Sequence, residues 1–191
     1  MLNLARKSTL ALFAASIAFT PVAAFAGKDD DTLVAAFQAK LPSLDRYHSP
    51  GREGFLLGLL AYDALVYRDP DTFELKPLLA TAWKQVDDKT WEFDLRQGVK
   101  FHNGDPMTAE DVAYSFMYAA EPENKVFNRM TGGWIEKIEI VDPFKVRVVG
   151  KQVTPLALEY IIQLPIVPKK YRERVGLQGF AEKPVGTGPY K

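Results

Sequence analysis

The stretch TWEFDLRQGVKFHNGDPMTAEDVAYSFMYAA, residues 90–120, changes periodicity partway along and decides the fold class. In its first part Trp91, Phe93 and Leu95 fall on one face and Glu92, Asp94 and Arg96 on the other, the alternation of a half-buried strand. Its last part opens with Thr108 as an N-cap and Asp111 at the third helical position, close to a capping box, and predicts a helix ending near Pro122. Between the two, Asn103-Gly104 makes a turn and Asp105-Pro106 redirects the chain.

On either side the pattern repeats in kind. AWKQVD (82–87) pairs most simply with the strand through an Asp87-Asp88 turn, and IEIVDPFKVRVVG (138–150) reads as a second hairpin around Asp142-Pro143. TPLALEYIIQL (154–164) predicts a helix with Thr154 capping and Pro155 at the first helical position. REGFLLGLLAYDALVY (52–67) places Phe55, Leu59, Tyr62 and Val66 at helical spacing, which predicts a core-facing stripe. TLVAAF (32–37) has the length of a strand and QAKLPSLDRYHSPG (38–51) reads as a loop. Strands and helices mixed without steady β-α alternation predict an α+β fold.

With 191 residues and 47% hydrophobic content, the chain is long enough for one packed core. The 24 basic and 24 acidic residues cancel, and no long like-charge block occurs, so neither a nucleic-acid nor a membrane-surface footprint is present. Arg6 and Lys7 are the only charges among the first 26 residues. They precede an apolar run from Leu10 to Phe19, then Pro21, then Ala24 and Ala26 in A-x-A spacing, which reads as a secretory signal peptide over 1–26 followed by a mature domain over 27–191. The run is too short for a membrane anchor. The chain contains no cysteine, so it needs no disulfide framework and lacks the residue on which a bacterial lipoprotein is lipidated. A periplasmic protein without a membrane anchor, from a Gram-negative host, is the expectation.

Signals for chemistry are few. FHNGDPMTAED (101–111) gathers His102, Asn103, Asp105, Glu110 and Asp111, but His48 and His102 are the only histidines and no metal-ligand spacing is present. The acidic pair instead suits the positive end of the following helix. A serine-hydrolase elbow and a cysteine nucleophile are both absent. In EKPVGTGPYK (182–191), Gly186-x-Gly188 could suggest a phosphate loop, but Pro189 follows the second glycine where a helix would have to open, so turn chemistry is the expectation. No catalytic residue, metal or cofactor is expected.

Four stretches together resemble the periplasmic dipeptide- and oligopeptide-binding proteins of ATP-binding cassette importers: YDALVYRDPDTFELKPLLATAW, WEFDLRQGVKFHNGDPMTAEDVAYSF, VPKKY and PVGTGPYK. They cover most of residues 32–191 in the family's order. Two positions depart from the pattern: Leu44-Asp45-Arg46 stands where Leu-Asp-Pro is common, and Phe73 where a turn commonly has Gly. The resemblance implies a partial two-lobed periplasmic-binding-protein fold, an amino-terminal lobe segment whose second lobe and return segment lie outside this sequence. It implies a monomer that binds peptides or another small solute, such as nickel, haem, glutathione or a sugar, and delivers it to membrane permease subunits. Ligand sensing or chaperone-like binding on the same scaffold, or a secreted hydrolase, are the alternatives. The loop from Ser43 to Glu53, with Asp45, Arg46, Tyr47, Arg52 and Glu53, carries a mix suited to peptide termini and backbone and is the expected ligand-binding segment. Residues 32–37 and 184–191 are expected to lack backbone partners within the chain.

Signal cleavage after Ala26 will leave Gly27 as the mature amino terminus. Amino-terminal sequencing of protein from a periplasmic extract checks this, and a start at Met1 in a membrane fraction would overturn it.

Overall fold

The computed structural model describes residues 43–49 and 51–191. The expected signal peptide and the expected strand over 32–37 lie outside the described residues.

The alternation around Trp91 becomes the centre of an antiparallel sheet. The chain enters helix α1 (Arg52–Ala61), makes a short ribbon of β1 (Val66–Arg68) and β2 (Leu75–Pro77), and then forms the hairpin of β3 (Ala80–Asp87) and β4 (Thr90–Leu95). Helix α2 (Ala109–Ala120) and the short α3 (Arg129–Gly132) lead to the hairpin of β5 (Ile135–Asp142) and β6 (Lys145–Gly150). The short α4 (Ala157–Ile161) and α5 (Lys169–Glu182) complete an α+β fold. The four longer strands lie in the order β3-β4-β6-β5, all antiparallel.

Both hairpins turn by the same device. Asp87 accepts a hydrogen bond from the Lys89 N–H at 2.8 Å, and Asp142 accepts one from the Phe144 N–H at 2.7 Å, each side chain bracing the backbone two residues on. The register then sorts the faces. Phe93 lies opposite Trp83 and Val146, and the buried Phe93, Val146 and Val148 join one core with Val112, Phe116 and Ala119 of α2. On the other face Lys84, Glu92, Arg147 and Glu139 form a row of one residue per strand. Glu92 is buried there, 2.7 Å from Arg147 and 3.1 Å from Lys84, and those bonds hold its carboxyl below the ordinary range.

Helix α2 begins and ends as its sequence predicts. The Asp111 carboxylate accepts the Thr108 N–H at 2.9 Å, while its other oxygen takes the Lys169 N–H at 3.0 Å and so ties the start of α5 to the start of α2. Gly176, with φ of 68°, breaks α5 partway.

Three expectations need correction. The stripe from Phe55 to Val66 is not one helical core face: α1 stops at Ala61, Tyr62 is extended and Val66 starts a strand. The helix buries Gly54 and Gly58 and leaves Phe55 and Leu59 40% and 54% exposed. Helical spacing fixed which side of α1 is apolar, but not whether anything covers it. The helix expected over 154–164 is only Ala157–Ile161, because the Thr154 hydroxyl donates to the Gln152 carbonyl at 3.1 Å and does not cap the helix. Residues 184–191, expected to be unpaired, are bonded into the fold. Gly188 and Tyr190 donate to the carbonyls of Ala61 and Leu60, both at 3.1 Å, satisfying the open end of α1. His102 grips the same segment: its N–H donates to the Gly186 carbonyl at 2.9 Å, and its ring nitrogens accept from the Gly186 N–H and donate to the Gly188 carbonyl. A Cβ on Gly186 would come within 2.0 Å of the Ala61 carbonyl, so this glycine serves close approach and not an unusual φ.

The turn between β1 and β2 holds Phe73 at φ of 58° with its side chain 69% exposed. A left-handed backbone strains any residue with a Cβ by about 1–2 kcal/mol, and an exposed ring returns little. Phe73→Gly is expected to stabilise the protein by about 0.5–1 kcal/mol after glycine's own entropy loss. A urea midpoint that stays put or falls would contradict this.

Candidate functional site

The segment 43–49 is held from the inside. Asp45 is 1% exposed, and its two oxygens face Arg172 of α5 at 3.2 and 2.8 Å, a bidentate pair. The Arg172 guanidinium lies 4.3 Å from the Tyr118 ring centre, 4.7 Å from Phe180 and 5.4 Å from Tyr47. Tyr47 is buried too, its hydroxyl 2.7 Å from the Pro165 carbonyl and 3.0 Å from that of Ser115, and burial pushes its pKa well above the usual phenol value. Asp45 and Tyr47, expected on a ligand-facing loop, are therefore engaged in the interior. Apart from the Tyr47 N–H that Asp45 also accepts, their side-chain partners lie more than sixty positions away, which no local pattern could announce.

The other three expected residues point elsewhere. Arg52 and Glu53 form the first turn of α1, Arg52 exposed and Glu53 half-buried. Arg46, between the two buried anchors, is half-buried on the opposite side and lies against α1, its guanidinium 4.3 Å from the centre of the Phe55 ring. Its stem crosses Gly58, where a Cβ would sit 2.5 Å from the arginine Cδ.

Arg46 opens onto a cavity of about 410 Å³ walled by Phe55, Leu59 and Tyr62 on one side and Ile162 and Pro165 on the other. Arg46, Gln163 and Pro165 also line an adjoining recess that reaches Asn128, whose amide donates to the Gln163 side chain at 3.4 Å. Beyond it Phe127 and Met130 are 60% and 67% exposed. Two further charged groups reach the cavity. Arg68 is already paired with Glu159, and the pKa of Asp63 is raised by burial. The arrangement is an apolar wall with a few convergent polar groups, suited to holding a small molecule. No group of histidine, cysteine or carboxylate side chains that could hold a metal occurs among the described residues.

Removing one partner of a buried ion pair strands the other charge in the interior. Asp45→Asn is expected to lower stability by about 3–5 kcal/mol, whereas the double variant Asp45→Leu/Arg172→Met recovers most of the loss. Urea unfolding of the three proteins checks this, and a loss under about 1 kcal/mol for the single variant would contradict a desolvated pair.

Comparison with known proteins gives this wall a context. The model of the bacterial extracellular solute-binding proteins, family 5 Middle, matches residues 74–191. The nickel-binding periplasmic protein of Escherichia coli (strain K12) is 28% identical over 100% of this chain and 36% of its own length. The glutathione-binding protein GsiB of Salmonella typhimurium is 31% identical over 93% of this chain and 34% of its own. Among solved structures, the binding protein AgaA from A. tumefacien R10 in complex with agropinic acid superposes with a TM-score of 0.73 at 30% identity, covering 80% of this chain and 31% of that one. The chain thus spans about a third of the length of each of these relatives. With more than half of its residues matched by the family model and its fold shared with a solved relative, the chain belongs to the bacterial extracellular solute-binding proteins of family 5.

Proposed function

We propose that the chain supplies part of an extracytoplasmic protein that binds a peptide or similar small solute and delivers it to the permease of an ATP-binding cassette importer, and that the wall beside α1 is its contribution to the solute cleft. The observation that carries this reading is the exposed apolar side of α1, Phe55 and Leu59, standing over a cavity with Arg46 at its edge. A folded chain rarely leaves such a side open without a use for it. Closure of a second surface over it would desolvate the solute and bury these side chains together. Relatives named for nickel, glutathione and agropinic acid support a small-solute cargo without selecting one. The A-x-A spacing before Gly27 supports export to the periplasm, and a single copy suffices for such a cleft.

The experiment begins with native mass spectrometry of the full-length protein to identify the solute that co-purifies. Calorimetric titration of that solute into Leu59→Trp, which fills the cavity from an exposed position, is then expected to show a loss of tenfold or more, about 1.4 kcal/mol, with an unchanged melting temperature. Undiminished affinity would remove the α1 wall from the site.

A further inference from the structure

The wall reading leaves the chemistry of the solute undefined, and the charges around the cavity narrow it. Arg46 forms no ion pair among the described residues. Of the acidic groups near it, Asp45 is held by Arg172 and Glu159 by Arg68, while Asp63, which also lines the cavity, forms no ion pair with Arg46 and has its pKa raised by burial. Arg46 is nonetheless withdrawn from water, and burial lowers its pKa from the ordinary guanidinium value while leaving it charged.

A half-buried cation with no counter-ion among the described residues is expensive, and this one is held in place. Asp45 and Tyr47 fix the backbone on either side of it from within, Gly58 clears a path for its stem, and the Phe55 ring supports one face of the guanidinium. The edge of a planar guanidinium presents paired N–H donors that match the two oxygens of a carboxylate. Gln163 and Asn128 in the adjoining recess add neutral donors and acceptors.

We propose that Arg46 is the anchor for a carboxylate group of the solute, so that this site selects acids over their uncharged counterparts. The proposal rests on the wall reading and adds to it the charge class of the cargo. A solute carboxylate would supply the partner that Arg46 lacks among the described residues, and the apolar surroundings from Phe55, Leu59 and Pro165 would strengthen the pair.

The test uses the full-length protein and three acid probes, N-acetyl-tri-alanine, N-acetyl-glutathione and glucuronate, each beside the form in which every carboxyl is an amide and no charge remains, followed by thermal shift and calorimetry. At least one acid is expected to bind ten times or more tightly than its amide. Arg46→Met should bring that acid down to the level of the amide and leave the amide unchanged. Gly58→Ala keeps the charge but displaces it, and should weaken the acid selectively. The carboxylate anchor is overturned if Arg46→Met leaves acid binding intact or weakens acid and amide alike, or if no acid binds. Leu59→Trp separates the two ideas. Loss of acid binding in Leu59→Trp but not in Arg46→Met keeps the wall and removes the anchor, whereas acid binding that survives both substitutions removes the wall as well.

Discussion

The buried pair of Asp45 and Arg172 is the constraint from which the candidate site follows. Neither ion could remain in the interior alone, since desolvating an isolated charge costs several kcal/mol, so the two elements that carry them must meet. The meeting place is lined by Tyr47, Tyr118 and Phe180, whose ring faces take the part of water around the guanidinium. Asp45 and Tyr47 both point inward, and Arg46 between them lies half-buried against α1. The same buried anchor that engages Asp45 therefore holds its neighbour at the edge of the cavity.

The opposite wall is fixed by the sheet layer through α2. Ser115, wholly buried on that helix, accepts the Val167 N–H on its hydroxyl at 3.0 Å, and its carbonyl lies beside the Tyr47 hydroxyl. Pro165, which faces α1 across the cavity, is thereby tied to the helix whose other side rests on Phe93, Val146 and Val148. Asp111 repeats the tactic at the start of α5. The antiparallel sheet takes no direct part in the site, but its apolar face sets the height of α2, and α2 sets the spacing of the two walls.

What could be seen in the sequence was local. Alternation at Trp91, Phe93 and Leu95, the aspartates that brace both hairpin turns and the Thr108–Asp111 helix start each depend on neighbours within a few residues, and these features appear where the pattern placed them. The site depends on distant partners. Nothing near Asp45 announces Arg172, and nothing in the spacing of Phe55 and Leu59 tells whether that stripe is covered. Gln163 and Asn128 carried no motif at all. The glycines of GTGPY were legible as special but for the wrong reason: their use is to let the backbone approach the end of α1, a demand visible only once α1 and His102 are in place.

The bonds from Gly188 and Tyr190 to the end of α1 also set an order in which the parts of the fold can close. Each β-hairpin can close early, because its contacts are short in sequence. The wall that includes α1 cannot, for Asp45 waits on a partner 127 positions later, and the last carbonyls of the helix wait on the GTGPY segment. The first helix to be synthesised among the described residues is thus among the last to be locked. Until those distant bonds form, α1 has only its own ten residues to hold it, too few for a stable helix in water.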